Sequence, residues 1–150
     1  MTAGEVCNRE VVIASADETI AQAARRIRAC HVGTLVVVDD REGTRTPVGI
    51  LTDRDIVIHA LADKAVPLYA LRIGSVMSSN LVTAGEHESL PDVLKKMRSN
   101  GVRRIPIVNE DGGLEGILAF DDVVELLAEE LSDLAGLIAR EQTREREVRV

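Results

Sequence analysis

The sequence predicts an α+β protein built from two pseudo-symmetric copies of one unit and ending in an extended helix. Three observations carry this. First, residues 4 to 40 lie over residues 74 to 110 at a constant offset of 70, and a second block follows at an offset of 67. Gly4 meets Gly74, Val12 meets Val82, Glu18 meets Glu88, Arg28 meets Arg98 and Val38 meets Val108, while Gly49-Ile50-Leu51 returns as Gly116-Ile117-Leu118 and Asp55 as Asp122. Second, each copy reads in the order helix, strand, strand, helix. Third, the last helix outlasts its counterpart. At 150 residues each half alone is marginal, so the copies are expected to share a core, with any functional cleft where they face each other.

In the first copy Ser15-Ala16-Asp17-Glu18 fits a capping box, and Ile20, Ala23, Ala24 and Ile27 keep helical spacing to about Cys30. Leu35-Val36-Val37-Val38 is a β-branched run ending in Asp39-Asp40, the pattern of a buried strand. Asp39 to Pro47 then reads as a hairpin loop, Val48 to Thr52 as the return strand, and Asp53 to about Ala62 as a second helix. In the second copy Ser89 to Ser99 is a helix and Arg104 to Val108 a strand. Asp111-Gly112-Gly113 is a turn, and Leu114 to Ala119 is the return strand. Glu10 to Ala14 and Asn80 to Ala84 have short extended character, and Asp63 to Ile73, with Pro67, connects the copies.

The last helix starts near Asp121. Val124, Leu127, Leu131, Leu134 and Ile138 follow one another at steps of three and four, an a/d seam of two heptads that either packs on the protein's own core or pairs chains into a homodimer. Gly136 weakens this helix locally, and from Arg140 the charges alternate as in a solvated helical end or frayed tail. The division is therefore 1–66, 67–130 and 131–150.

A net charge of −7 and only two aromatic residues, Tyr69 and Phe120, supply neither the electrostatics nor the stacking that nucleic-acid binding needs. No apolar run approaches the ~20 residues of a membrane span, and the first residues lack a secretory pattern, so a cytoplasmic protein is expected. Cys7 and Cys30 read as buried thiols, and His31, His59 and His87 as ordinary core or surface histidines without metal-ligand spacing. No Ser-His-Asp, Cys-His or carboxylate-pair arrangement emerges, so the chain is not read as an enzyme.

The duplicated unit, with Gly-Ile-Leu-Thr-Asp-Arg-Asp-Ile at 49–56 and Val-Arg-Arg-Ile-Pro-Ile-Val at 102–108, resembles a stand-alone tandem cystathionine β-synthase (CBS) domain pair. The lead-ins Gly4-Glu5-Val6-Cys7 and Gly74-Ser75-Val76-Met77 resemble those of the family, although Cys7 stands where Met is usual. The resemblance implies two βαββα units packed through their sheets, clefts for adenosine-containing ligands such as AMP, ATP, NAD or S-adenosylmethionine, and assembly into dimers. It also places the ligand signature on Gly49-Ile50-Leu51-Thr52-Asp53-Arg54-Asp55. In that signature Asp55 would read the ribose hydroxyls, with Thr52 and Arg54 near the phosphates.

Thr-x-x-Asp before an apolar helix is also a capping-box pattern, which Ala119-Phe120-Asp121-Asp122 lacks in the second copy. Arg103-Arg104 stand where the first copy has Gly33-Thr34, and the resemblance implies that they reach phosphates of a ligand whose ribose Asp55 holds. Asp122 with Gly33-Thr34 and Ala119 would form a mirror site that binds phosphate more weakly or stands empty. Ile13 and Thr83 are where the family lines its adenine pocket. The leading expectation is a regulatory module sensing energy or redox state through an adenine nucleotide and acting on a protein target still to be identified. The alternative is a structural or interaction module whose clefts have degenerated.

Overall fold

The computed structural model describes residues 1–62 and 66–148. Part of the expected connection, residues 63–65, and the end of the tail, residues 149 and 150, lie outside the described residues. The chain divides into two units, Met1–Leu118 and Ala119–Val150.

The first unit holds two three-stranded sheets. In the first repeat the order is α1 (Ala3–Val6), β1 (Ile13–Ala14), α2 (Ile20–Cys30), β2 (Thr34–Arg41), β3 (Thr44–Thr52) and α3 (Asp53–Asp55), and α3 runs on in wider turns over Ile56–Leu61. In the second it is β4 (Ala84–Gly85), α4 (Leu90–Asn100), β5 (Arg104–Val108) and β6 (Leu114–Ala119). The sheets are ordered β1-β2-β3 and β4-β5-β6. Each opens with a parallel pair joined through a helix, Ile13 against Val36 and Ala84 against Ile107. The helices bury equivalent faces, Ile20 and Ala23 on α2, and Leu90, Val93 and Met97 on α4. Leu35, Val37 and Leu51 complete the first core, and Ile105, Ile107 and Leu118 are buried in the second sheet.

The two repeats exchange their lead-ins. Ala3 N–H donates to Glu88 O (2.9 Å), Gly4 N–H to Glu86 O (2.9 Å), and Asn8 pairs with Ile117, so the first lead-in is bonded to the second repeat. Reciprocally, Ile73 N–H donates to Glu18 O (2.8 Å), Gly74 N–H to Ala16 O (3.0 Å), and Ser78 pairs with Ile50. Ile73 and Val76 thereby become members of the first repeat's core.

Two glycines permit the exchange. A Cβ on Gly49 would stand 2.6 Å from Met77 Sδ and 2.9 Å from Ser78 O, and one on Gly116 would stand 2.6 Å from Cys7 Sγ and 2.8 Å from Asn8 O. The lead-in backbone can lie on the return strand only where that strand has no side chain. Cys7 thus occupies the place on Gly116 that Met77 occupies on Gly49, and burial pushes its thiol up from the ordinary value.

Local structure corrects several expectations. Helix α2 is capped by Thr19, whose hydroxyl accepts from Gln22 N–H, with Gln22 reaching back in a capping box. Ser15 to Glu18 is instead a preceding turn, because the Glu18 carboxylate accepts from Ser15 N–H (2.9 Å) and from Arg26. The expected loop from Asp39 to Pro47 is mostly strand. Glu42 and Gly43 both take positive φ (55° and 83°), a two-residue hairpin turn that lets Arg41 pair with Thr44. The ladder shifts after Val37, which pairs with Gly49, while Val38 pairs with Pro47, so Val48 is the extra residue of a bulge. Cys7 is half-buried and Cys30 exposed, rather than both buried.

The second unit is α5 (Phe120–Val148), one helix of 29 residues. It continues through Gly136 and through the charged segment to Val148, which is a solvated helical end, one of the two expected alternatives. Among the described residues no helix is long and apolar enough to cross a membrane.

Candidate functional site

Thr52 ends β3 in extended conformation (φ −109°) and caps the helix that follows. Its hydroxyl accepts from Asp55 N–H (3.1 Å), and one Asp55 carboxylate oxygen accepts from Thr52 N–H (2.9 Å). This is the reciprocal capping box, which fixes both side chains. The hydroxyl hydrogen of Thr52 and the second carboxylate oxygen of Asp55 have no other partner among the described residues, so each keeps hydrogen-bonding capacity.

Both side chains line a cleft of about 280 Å³ inside the first unit. Its first-repeat wall is Thr34, Ile50, Thr52 and Asp55. The opposing wall is Ser78, Asn80, Leu81 and Val82 from the segment before β4, with Val102, Arg103 and Arg104 before and at the start of β5. The cleft therefore lies between the repeats, and the exchanged pairing of Ser78 with Ile50 draws the second lead-in across β3 to close it. Its volume is at the low end of the roughly 300–1,000 Å³ of small-molecule sites.

The wall has two chemistries. Ile50, Leu81, Val82 and Val102 give it an aliphatic face without an aromatic ring. Arg103 and Arg104 are exposed and have no carboxylate partner among the described residues, so with Asp55 they leave one net positive charge in a protein of net charge −7. A ligand suited to these walls has a flat apolar part, vicinal hydroxyls for a carboxylate, and an anionic group for two guanidinium forks.

Of the residues expected from the sequence, Thr52, Asp55, Arg103 and Arg104 come together, and Arg54, Ile13 and Thr83 do not join them. Arg54 points into solvent beside Asp53, whose carboxylate accepts from Arg54 N–H (2.8 Å). The Ile13 carbonyl accepts from Arg26 (2.9 Å), and the Thr83 carbonyl from Lys96 (3.2 Å), so each is tied to its own repeat's helix. Strand β4 begins only at Ala84, which leaves Asn80, Leu81 and Val82, just before Thr83, to face the cleft. Asp122 is exposed in the first turn of α5 and, with Ala119, belongs to the second unit.

Thr34 is the residue that sequence symmetry misassigns. Symmetry gives it to the mirror site, yet it lies directly across the ladder from Thr52 and lines the same cleft. Its buried hydroxyl has no hydrogen-bond partner among the described residues. An unpaired β-strand Thr is invisible in sequence, because its partner is decided by register.

The repeats share an ion-pair clamp at the offset of 70. Glu18 pairs with Arg26 (2.9 Å) as Glu88 does with Lys96 (2.8 Å). The hydrogen bond from the basic partner holds each carboxyl below its ordinary range. Among the described residues no group of three His, Cys, Asp or Glu side chains could hold a metal ion.

A family model described as CBS domain matches residues 3–61 and again 73–129. An uncharacterized protein of Methanopyrus kandleri is 31% identical over 126 residues, covering 84% of this chain, which spans 62% of that protein's length. Hypoxic response protein 1 of Mycobacterium tuberculosis is 31% identical over 128 residues, covering 85% of this chain and 86% of its own length. A crystal structure of Hypoxic Response Protein I with two coordinated zinc ions matches with a TM-score of 0.71 at 30% identity, covering 83% of this chain and 98% of the other. The CBS domain pair of protein MJ0100, solved in complex with 5′-methylthioadenosine and S-adenosyl-L-methionine, matches with a TM-score of 0.73 at 25% identity, covering 87% and 98%. With two exchanged repeats around one cleft and a family match over each, this chain belongs to the CBS domain family and carries the domain as a tandem pair.

Proposed function

We propose that the chain is a regulatory module that binds an adenine nucleotide, or a related adenosine ligand, in the cleft between its repeats, rather than an enzyme. The observation that carries this reading is that Thr52 and Asp55 from one repeat share a cleft with Arg103 and Arg104 from the other. Asp55 accepts from the ribose hydroxyls, the arginines take the phosphate, and the aliphatic wall clamps the adenine. The adenosine ligands of the MJ0100 domain pair support the same ligand class. A cleft of about 280 Å³ favours a mononucleotide such as AMP over a dinucleotide such as NAD, and ATP would extend its outer phosphates past Arg103 and Arg104.

Because the ligand joins the two repeats, it shifts their packing by its difference in affinity for the two arrangements, and a protein target reads the change. A homodimer in the cytoplasm is part of this reading. Thermal unfolding with AMP, ADP, ATP, NAD, S-adenosylmethionine and 5′-methylthioadenosine tests it. At 100 times its Kd a ligand of the folded state adds about 2.7 kcal/mol, which raises Tm by roughly 5–10 °C for a protein of this size. No shift with any of the six overturns it.

A further inference from the structure

The two exchanged lead-ins are held unequally. In the first, Arg9 donates to the Gly4 carbonyl (2.8 Å) and pairs with Glu115 (3.1 Å), Asn8 Oδ1 accepts from Glu10 N–H (3.0 Å), and Val12 O accepts from Val36 N–H (3.0 Å). The second copy replaces these partners. Ser79 stands for Arg9, Val48 for Glu115, Ser78 for Asn8 and Pro106 for Val36. Proline has no N–H to give the Val82 carbonyl, so β4 first pairs with β5 at Ala84 and Ile107, one residue later than β1, whose first pair is Ile13 with Val36. Ser79 through Val82 make no hydrogen bond to any described residue. Their neighbours are fixed on both sides, since Ser78 N–H donates to Ile50 O (2.9 Å) and Thr83 O accepts from Lys96 (3.2 Å). Ser79 and Asn80 are exposed and Leu81 and Val82 half-buried, so little packing replaces the missing bonds. Asn80, Leu81 and Val82 line the cleft. The looser lead-in is thus the one on the candidate site.

We propose that Ser79–Val82 is a strap that opens to admit a ligand and closes on it, so that access to the cleft is controlled from the second lead-in while the first stays fixed. The inference rests on the reading that this cleft takes a nucleotide, and it adds how the nucleotide enters. A segment anchored at both ends and unbonded between them swings without breaking the Ser78–Ile50 pair or the β4–β5 ladder. Closure sets Leu81 and Val82 against the base. Pro106, behind the strap, keeps it from being sealed permanently, because the bond that holds Val12 to Val36 has no donor here.

Backbone nitrogen relaxation by NMR on the full chain, with and without AMP, tests this. In the free protein, order parameters below about 0.6 are expected for residues 79–82 against about 0.85 for residues 9–12, and AMP should raise the former toward the latter. Pro106→Val supplies the missing N–H with the side chain that the first copy buries at Val36, and position 106 is buried outside the cleft wall. The variant should order the strap in the free protein and slow AMP association roughly fivefold, the factor of one hydrogen bond. Equal order at 79–82 and 9–12 in the free chain overturns the strap. So does AMP binding that leaves 79–82 mobile, or an association rate that Pro106→Val leaves unchanged. AMP that shifts no cleft resonance removes the nucleotide reading itself, and the strap with it.

Discussion

Asp55 has two roles that one carboxylate can combine, because its oxygens are separate acceptors. One closes the capping box on Thr52 N–H, and the other remains for a ligand. Asp55→Ala should therefore weaken nucleotide binding at least tenfold and also cost about 1 kcal/mol of stability through the lost cap. Arg103→Ala and Arg104→Ala separate the roles, since neither side chain has a partner ion among the described residues. Each should weaken binding of a nucleoside phosphate about 10–150-fold, from ~1.5–3 kcal/mol per charge-assisted bond, while leaving affinity for adenosine and the ligand-free Tm nearly unchanged. Calorimetric titration of AMP and adenosine against both variants checks this. Equal losses for the two ligands would remove the arginines from phosphate recognition.

At the scale of elements, the two repeats solve the same problem with different residues, and the differences are testable. Helix α2 ends at His31 with φ 53°, where α4 ends at Gly101 with φ 63°. The left-handed conformation is costly for a residue with a Cβ, and His31 is exposed, so His31→Gly should stabilise the protein by roughly 0.5–1 kcal/mol, seen as a rise in urea midpoint at constant slope. The opposite sign is expected where backbone approach is the constraint. Gly49→Ala places a methyl against Met77 and the Ser78 carbonyl, and should cost roughly 1–3 kcal/mol by prying the second lead-in from β3. The same change should widen the cleft, because Ser78 lies in its wall.

For the whole molecule, acid stability follows from the duplicated clamp. Glu18 and Glu88 are both held below the ordinary carboxylate range in the folded state, so the unfolded chain binds more protons near pH 4. Their stabilisation is complete above the unfolded value of about 4.5 and is lost as pH falls through the depressed folded values. Each pair is partly exposed, which keeps its contribution near the ~0.2–1 kcal/mol of surface ion pairs. The double variant Glu18→Gln, Glu88→Gln should flatten the fall in urea midpoint between pH 6 and pH 3 relative to the parent chain. An identical slope would mean other carboxylates dominate. The clamp itself was half legible in sequence: Glu18 over Glu88 is part of the repeat, but Arg26 over Lys96 is a repeat of charge and not of residue.

By itself the sequence determined the duplication and the order of elements, because these depend on side-chain periodicity; of the polar residues lining the cleft, Thr52, Asp55, Arg103 and Arg104 were named by the family resemblance, with only Thr-x-x-Asp legible as local chemistry. The strand Arg104–Val108 and the return strand Leu114–Ala119 fall where their patterns put them, since buried β-branched runs and Gly-rich turns are local signals. Tertiary structure alone decided the rest. Exchange of the lead-ins depends on backbone hydrogen bonds between residues 28 to 109 positions apart, which no side-chain pattern encodes. That exchange sets Leu81 and Val82 on the cleft wall in place of Ile13 and Thr83. Strand register turned Thr34 toward the arginines, because in a ladder the neighbour across the sheet, and not the pseudo-symmetric copy, fixes where a side chain stands.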